Sequence, residues 1–314
     1  NILFKNRLAT IFSLFFVYFG GSFGWIVELM KTGKPFGGES TFWANQAVSM
    51  NLNPPFAISL VLFIASILAV SIFSEKPNKL KALIIILLSG SLIGFKVYAG
   101  VIILFGLFMM SVISAFKKDL RFVYIFLLCL FLSLAIFLPS SYAATTLLVI
   151  SPLWLVHSMI DFSDRVGWMK LSGARMAYLA QGLWLKLLAV EAIGLAIFIV
   201  GNLGTKVIGL IAAIGSYKTI VQKRTHLFVS FMLLASFTLP LIFIQKGNSW
   251  NIVQFIYYFL FLASLYAGYG ISRIVSLMPK GLSYGAILFF VLITPISSFS
   301  TFKSALFPFP PAKV

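Results

Sequence analysis

Residues Ala82 to Phe116 read ALIIILLSGSLIGFKVYAGVIILFGLFMMSVISAF, and Lys96 is the single charged residue among these 35 positions. One helical crossing of a bilayer takes about 20 apolar residues, so the run predicts two short spans that meet at Lys96. An ammonium at the bilayer centre costs roughly 2.5 to 3.5 kcal/mol on insertion scales, which is why such a residue is usually paired, hydrated or functional. The stretch therefore indicates an α-helical membrane protein that carries an unusual cation.

The composition extends this prediction to the whole chain. Of its 314 residues, 61% are hydrophobic and 10% are charged, whereas soluble domains are about 45 to 50% apolar and about 25% charged. We therefore expect an all-α, polytopic transmembrane helical bundle in the cell membrane, with residues 1–314 as a single domain and the lipid bilayer as its partner. The net charge of +17 is spread through the gaps between apolar stretches, which is typical of membrane topology and speaks against nucleic acid as a partner.

The apolar stretches set the expected number of spans. We predict about 11 spans, within a range of 10 to 12, because that many apolar stretches separate the polar gaps. The stretches are Leu8–Met30, Pro55–Phe73, Ala82–Phe95, Val97–Phe116, Phe122–Leu138, Ala143–Ile160, Leu183–Val200, Lys206–Val221, Leu227–Ile244, Ile252–Ile271 and Leu282–Ile296.

Basic residues set the expected orientation. The positive-inside rule places the basic gaps in the cytoplasm, together with the N-terminus of this chain. Because these gaps share one side, an even number of spans must lie between Arg121 and Lys218. Ala143–Ile160 is therefore predicted to be a span, with Arg165 in the cytoplasm. In the alternative topology, Ala143 to Tyr178 is an external region with interfacial helices, and one later span lies outside the membrane.

The ends of the chain and its metal-binding potential can also be judged from the sequence. It begins at Asn1, without a methionine or a signal-peptide pattern, and we expect it to be a fragment of a longer protein. Cys129 is the single cysteine, and His157 and His226 are far apart. No metal-ligand motif is predicted, and a divalent metal ion enters only as an optional cofactor.

Two lysines of the outer gaps are the predicted phosphate-binding residues. Lys96 lies in the turn GFKVYAG beside Tyr98, and Lys246 lies in the gap QKGNSWNIVQ. Two interpretations of Lys96 stay open. It extends from a helix end to the membrane interface, or it binds a lipid-borne phosphate, because a cation in a low-dielectric cleft stabilises a phosphate leaving group.

Two carboxylates are candidates for chemistry. Glu39, in the outer loop Lys31 to Pro55, is predicted to be a catalytic base that takes a proton from a sugar hydroxyl. The alternatives for Glu39 are an exposed loop carboxylate and the first-turn acid of a helix over Ser40 to Met50. Glu191 falls within a predicted span, so we expect it to face another helix or a wet cavity, as an intramembrane site or in an ion pair.

Aromatic and amide side chains enrich the same outer gaps. Carbohydrate-binding sites use amides for hydroxyl groups and flat rings for the apolar faces of sugars. The alternative for the rings is an aromatic belt at the membrane interface. The predicted substrate-binding residues are Trp43, Asn45, Gln46, Tyr98, Trp250, Asn251 and Gln254.

Many short spans, basic cytoplasmic turns, a polar outer loop and the segments GFKVYAG and NSWNIVQF together give a family resemblance. The chain resembles polytopic GT-C-type glycosyltransferases. The resemblance implies sugar transfer from a polyprenyl-phosphate donor at the external face, with cell-envelope polysaccharide as a product class. Such enzymes carry an acidic motif, often two carboxylates, in the first external loop, whereas Glu39 is the only acid between Lys31 and Pro55. On this interpretation the missing carboxylates lie upstream of Asn1.

Two other functions stay open. One is a transporter or flippase of a lipid-linked or amphiphilic substrate, with Lys96, Glu191 and broken helices near Gly94 and Pro152 as a midplane site. The other is a non-catalytic subunit in envelope polysaccharide assembly. The chain has no Walker-type phosphate loop, no HExxH and no GxSxG, which disfavours an ATP-driven pump and a membrane metalloprotease.

Overall fold

The computed structural model describes residues 3–4, 6–141, 148–215 and 223–306. These residues are almost entirely helical, as the composition predicts, and contain one antiparallel pair of short strands. The helices are α1 (Arg7–Phe19), α2 (Gly24–Thr32), α3 (Gln46–Leu52), α4 (Pro54–Glu75), α5 (Lys79–Phe95), α6 (Val97–Phe116), α7 (Arg121–Ser141), α8 (Trp154–Asp161), α9 (Met169–Ala180), α10 (Trp184–Leu203), α11 (Lys206–Ile214), α12 (Arg224–Ile242), α13 (Gln254–Leu277), α14 (Lys280–Ile293) and α15 (Phe299–Leu306). The strands are β1 (Leu148–Ile150) and β2 (Phe243–Gln245), and 3₁₀ turns cover Ser249–Val253 and Ile296–Ser298.

The chain divides into two compact units. Unit 1 consists of Asn1–Arg7, Ser49–Ile150 and Ile214–Leu262. Unit 2 consists of Leu8–Val48, Ser151–Ala213 and Ala263–Val314. Each unit is therefore assembled from three separate segments of the sequence.

Unit 1 is a helical bundle in which glycines allow close packing. Helix α5 packs against α4, α6 and α7, and α6 also packs against α12. Gly90 of α5 lies against Leu132 of α7, and the Ser133 hydroxyl donates to the Gly90 carbonyl at 3.0 Å. Gly106 of α6 lies against Phe228 of α12. Small residues at these contacts let backbones approach, as helices in a bilayer require.

Asparagine side chains fix the starts of two helices in unit 1. The Phe56 amide donates to Asn53 Oδ1 at 3.2 Å, and Pro54 occupies the first position of α4. The Lys81 amide donates to Asn78 Oδ1 at 2.8 Å at the start of α5. These caps satisfy amides that have no partner within the helix, and proline suits the first helical turn.

The run from Ala82 to Phe116 forms two helices, as predicted. Helix α5 ends at Phe95, Lys96 adopts an extended conformation with φ −154° and ψ 111°, and α6 begins at Val97. The break lies at Lys96 itself, two residues beyond the Gly94 position proposed for a broken helix. Gly94 instead lies within α5, where it faces Ile136 of α7.

The turn between α6 and α7 holds a paired carboxylate. Asp119 accepts hydrogen bonds from Nε and Nη2 of Arg121, both at 2.7 Å, and lies 3.6 Å from Nη1 of Arg224. The Arg121 guanidinium lowers the pKa of Asp119 to about 2. This residue is therefore tied to its basic neighbours in unit 1.

Unit 2 has an aromatic and aliphatic core formed by α1, α13 and α14. Phe12 and Phe16 of α1 pack with Ala267 and Ile271 of α13 and with Phe290 of α14. The Ser13 hydroxyl of α1 donates to a backbone carbonyl of α13 at 3.0 Å. Small residues again line the closest helix contacts.

The predicted count of about 11 spans is not confirmed in the part of the chain that the structure describes. Seven helices are long and apolar enough to cross a membrane there, or eight if the bent pair α1 and α2 counts as one span. Some predicted spans contain helices shorter than a full crossing, for different reasons. Helix α5 has 17 residues, about 26 Å at 1.5 Å per residue, against a hydrocarbon core of about 30 Å. Helix α11 ends at Ile214, and residues 216–221 of the predicted span Lys206–Val221 lie outside the described residues.

The predicted span Ala143–Ile160 is wrong for its described residues. Residues 148–150 form β1, a turn follows around Pro152, and α8 has 8 residues. A helix of that length is about 12 Å long and cannot cross a bilayer. Pro152 and the extended β-branched segment before it end any continuous helix. Residues 143–147 lie outside the described residues.

The contacts of Arg165 bear on its predicted orientation. The Arg165 guanidinium donates to the Ser40 carbonyl at 2.6 Å, and the Lys31 ammonium donates to the carbonyls of Ser163 and Arg165. Residues 163–165 therefore lie beside the loop from Lys31 to Ser40, which was expected on the opposite side of the membrane. This contact agrees with the alternative topology, in which the region around α8 and α9 is on the same side as that loop.

Substitution of Gly209 by alanine tests the close helix contact of unit 2. A β-carbon on Gly209 would lie 2.3 Å from the Ala267 carbonyl oxygen, so α11 and α13 must move apart. We expect Gly209→Ala to lower the free energy of unfolding by about 1 to 3 kcal/mol, as overpacking does. Thermal unfolding in detergent measures this loss of stability.

Gly285→Ala is the matched control, because no atom lies within 4 Å of a β-carbon at that helical position. It should leave stability unchanged or raise it by about 0.4 to 1 kcal/mol. Equal melting temperatures for the two variants would contradict the packing of α11 on α13.

Candidate functional site

Residues from two distant parts of the sequence meet in unit 1 beside the break at Lys96. The Tyr98 hydroxyl donates to Gln245 Oε1 at 3.3 Å, and the Tyr98 ring packs edge-on against Phe255 with centroids 5.1 Å apart. We refer to Lys96, Tyr98, Gln245 and Phe255 as the Tyr98 cluster. The structure thus joins the turn GFKVYAG to the gap QKGNSWNIVQ through Gln245 and to the segment NSWNIVQF through Phe255.

The strand pair holds the second segment in place. Gln245 is the last residue of β2 and pairs with Leu148 of β1 in the antiparallel register. Lys246 follows directly and is exposed. Trp250, in the 3₁₀ turn after it, is 44% exposed. The segment therefore offers a cation and an aromatic face from a fixed strand end.

The remaining predicted residues of this segment lead into α13. Asn251 lies in the 3₁₀ turn, where its backbone amide donates to the backbone carbonyl of Asn248 at 3.2 Å. Gln254 is the first residue of α13. Both side chains are partly exposed. Predicted substrate-binding residues Trp250, Asn251 and Gln254 therefore lie in one short segment that starts at the Tyr98 cluster.

Charge at this site is uncompensated. Among the ion pairs that the described residues form, none involves Lys96 or Lys246. Lys96 is partly buried, so water screens its charge less than that of a surface lysine. The Tyr98 cluster can therefore attract an anion.

Trp43 has a structural position in unit 2. Its Nε1 donates to the Leu155 carbonyl at 3.1 Å, its ring stacks on Trp154, and the Arg165 guanidinium lies 3.9 Å from the ring centroid. The residue is 7% exposed and has a left-handed φ of 74°. Trp43 was predicted to lie on an exposed sugar-binding surface, and the structure shows it packed in the interior.

Asn45 and Gln46 are likewise interior residues of unit 2. Asn45 Nδ2 donates to Ser298 Oγ at 2.8 Å, and Gln46 Nε2 donates to the Val17 carbonyl at 3.2 Å. Their exposed fractions are 7% and 0%. They were predicted as substrate-binding side chains, but in this structure they bind protein atoms. The polar loop composition reflects buried hydrogen bonds, which a sequence pattern cannot distinguish from an exposed site.

Glu39 caps a helix in unit 2. Its Oε1 accepts hydrogen bonds from the Ser300 hydroxyl at 3.1 Å, from the Thr301 amide at 3.2 Å, and from the Thr301 hydroxyl. Both partners lie in the first turn of α15, where a carboxylate complements the helix dipole. The predicted helix over Ser40 to Met50 begins only at Gln46. Catalysis by Glu39 stays a prediction.

Glu191 faces another helix, as expected for a carboxylate within a span. Its Oε2 lies 2.8 Å from His157 Nε2, which places α8 against α10 in unit 2. Both side chains are partly buried, at 19% and 24% exposed. The second candidate carboxylate is therefore paired with a histidine that lies 34 positions earlier and that no sequence pattern connects with it.

Sequence reasoning missed Lys206, which it names only as the first residue of the predicted span Lys206–Val221. It is the first residue of α11 and is 0% exposed. Its Nζ has no hydrogen-bond partner among the described residues. The signal in the sequence is weak, since a lysine after NLGT reads as a normal helix end. Only the folded arrangement shows that it is buried.

The part of the chain that the structure describes contains no cluster of metal-binding side chains. No group of three or more His, Cys, Asp or Glu side chains there could hold a metal ion. The pair of His157 and Glu191 supplies two such side chains. A divalent metal ion as cofactor stays a prediction.

Two substitutions of Glu39 separate its capping role from catalysis. Glu39→Gln keeps an oxygen that can accept from Ser300 and Thr301, so stability should stay within about 0.5 kcal/mol of the parent chain. Glu39→Ala removes the acceptor and should cost about 0.5 to 2 kcal/mol. Thermal unfolding measures both, and a large loss in Glu39→Gln would contradict capping. Loss of sugar transfer in stable Glu39→Gln protein would support the catalytic prediction.

Comparison of the chain with protein-family models, with curated proteins and with solved structures gives no match.

Proposed function

We propose that this chain acts on lipid-linked sugars as a GT-C-type glycosyltransferase of the cell membrane, and that the Tyr98 cluster binds the phosphate of a polyprenyl-phosphate donor at the external face. The observation that supports this proposal most directly is the contact between Tyr98 and Gln245. It fixes the backbone break at Lys96 beside the strand end that carries Lys246.

The phosphate side of the proposal follows from charge. Lys96 is two residues from Tyr98, and Lys246 is adjacent to Gln245, so one hydrogen bond ties together the backbone segments that bear both cations. Neither lysine has a carboxylate partner among the described ion pairs. Cations that are not already neutralised attract a phosphate, and partial burial strengthens the attraction.

The surface next to the Tyr98 cluster supports binding of the sugar and of the lipid chain. Trp250, which is 44% exposed, offers a flat face for a sugar ring. Phe95 and Val97 flank Lys96 in sequence and are 48% and 38% exposed, so apolar side chains surround the cation. A polyprenyl chain packs against such apolar surface while its phosphate meets the lysine.

The transfer reaction makes specific demands on these groups. The acceptor hydroxyl oxygen attacks the anomeric carbon of the donor sugar, and the bond between that carbon and the phosphate oxygen breaks. The electrons of that bond leave with the polyprenyl phosphate, whose new charge Lys96 stabilises. A general base takes the hydroxyl proton.

Replacement of Lys96 tests the phosphate role. Loss of a charged hydrogen bond corresponds to roughly a 10- to 100-fold effect, so Lys96→Ala should lower kcat/KM for sugar transfer by that factor. Lys96→Arg, which keeps the charge, should retain more activity. The measurement is transfer from a radiolabelled polyprenyl-phosphate sugar by protein reconstituted in liposomes.

Lys79→Ala is the matched control, because Lys79 is an exposed lysine at the other end of α5. It should leave transfer unchanged. Unchanged transfer in Lys96→Ala protein as well would show that Lys96 has no phosphate role and only extends to the membrane interface.

A transporter or flippase is the second candidate function, and the pair of His157 and Glu191 favours it. A carboxylate and an imidazole 2.8 Å apart on two helices of a membrane protein can exchange a proton during transport. Helix interruptions of the kind found between α1 and α2 also occur at transport sites.

Glu191→Gln tests the transport function, because it removes the carboxylate charge and leaves the shape. We expect flux of a fluorescent lipid-linked substrate across liposomes, without an acceptor, to fall at least about tenfold if His157 and Glu191 exchange a proton. Glu75→Gln, at an exposed position, is the control. Normal flux in vesicles with the Glu191→Gln protein would show that the contact between His157 and Glu191 is only structural.

A further inference from the structure

Three interruptions in helices meet inside unit 2. Residues 20–23 separate α1 from α2, residues 204–205 separate α10 from α11, and residues 294–298 separate α14 from α15. The sequence accounts for the breaks, since Gly20 and Gly21 form a pair, Gly204 has a left-handed φ of 54°, and Pro295 follows α14.

Hydrogen bonds join the three interruptions. The Gly21 amide donates to the Thr294 carbonyl at 3.1 Å, and the Ser22 amide donates to Ser297 Oγ at 3.0 Å. The hydroxyls of Thr205 and Thr294 are 2.6 Å apart. We refer to Ser22, Thr205, Lys206, Thr294 and Ser297 as the polar centre. All of its residues are at most 3% exposed.

Lys206 is the exception in this otherwise paired group. Its side chain occupies the space beside Gly20, where a β-carbon would lie 2.4 Å from Cε and 2.8 Å from Nζ of Lys206. Nζ has no hydrogen-bond partner among the described residues, although the hydroxyls around the breaks bond to one another or to backbone groups. Asp161, Asp164 and Glu191, which are acids of unit 2, have their own basic partners in the described chain.

The position of Lys206 disfavours an ammonium group without an anionic partner, for two reasons. Burial removes its hydration without an ion pair in return. It also lies at the N-terminus of α11, where the helix dipole is positive and favours an anion instead of a cation. A methionine would fill the same space without either penalty, so packing alone does not explain a lysine.

We propose that the polar centre of unit 2 binds the phosphate group of a ligand, with Lys206 as its counter-charge. The helix N-terminus and the ammonium both attract such an oxyanion, and the surrounding hydroxyls can redirect their hydrogen bonds to its oxygens. Nζ is closed off in this conformation, so binding requires the glycine pair at 20–21 to move away from α11. This site is separate from the Tyr98 cluster and does not depend on the proposed sugar transfer.

The phosphate can come from two sources, a membrane lipid or free phosphate in solution. The experiment measures the melting temperature of the purified full chain in detergent with inorganic pyrophosphate, with dioleoyl phosphatidic acid, or with dioleoylglycerol as the uncharged lipid. We expect at least one phosphate compound to raise the melting temperature and dioleoylglycerol to have no effect. Stabilisation by phosphatidic acid alone identifies a lipid site, and stabilisation by pyrophosphate alone identifies a site for free phosphate.

Lys206→Met makes the test specific to the polar centre. Without ligand this variant should melt at least about 2 °C above the parent chain, because an unpaired buried charge is removed. Its apparent affinity for the stabilising phosphate should fall roughly 10- to 100-fold. Lys34→Met, at an exposed position in the same unit, should behave as the parent chain in both measurements.

Three results would overturn the proposal. The first is a parent chain that neither phosphate compound stabilises. The second is equal phosphate stabilisation of Lys206→Met and parent protein. The third is a ligand-free Lys206→Met or Lys206→Gln protein that is less stable than the parent, because Lys206 would then have a stabilising role within the fold. Lys206→Gln is measured beside Lys206→Met as the second variant.

Discussion

Every backbone amide and carbonyl at membrane depth must find its partner within the protein, and this constraint shapes both units. Intact helices meet it by themselves. The broken helices of unit 2 meet it through Thr294, Ser297 and the Gly21 amide, which bond across the interruptions. Unit 1 places its break at Lys96, where the extended residue still donates its amide to the Leu92 carbonyl at 3.0 Å. The fold is therefore regular except where local polar groups can replace helical hydrogen bonds.

The same constraint explains why both notable lysines lie at breaks. A helix end leaves backbone amides or carbonyls without a partner inside the helix, and polar groups gather there to satisfy them. Lys96 lies between α5 and α6 and is partly exposed, whereas Lys206 follows the break after α10 and is fully buried. One lysine can meet a ligand directly, and the other needs local opening. A difference in burial, not in residue type, separates the two sites.

Hydropathy predicted the helical class and the break at Lys96, because both depend on local composition and length. The predicted count of about 11 spans is not confirmed by the described residues, in which α8 has 8 residues, α11 has 9 and α5 has 17. The position of Arg165 could not be deduced from charge parity. That residue bonds to Ser40 and covers Trp43 within unit 2, and such long-range pairing overrides a statistical rule about loops.

Site prediction depended on the same distinction between exposed and buried polar groups. Trp43, Asn45 and Gln46 have the composition of a carbohydrate-binding loop, but each bonds to protein atoms inside unit 2. Tyr98 and Gln245 are 147 positions apart in the chain, and their contact became visible only in the folded unit. Lys206 shows the reverse case, because nothing near it in sequence indicates burial. A buried polar residue in an apolar chain thus indicates function most strongly when its polar neighbours have hydrogen-bond partners and it has none. By that criterion, Lys206 is a stronger indication of a ligand than the polar outer loop that first suggested one.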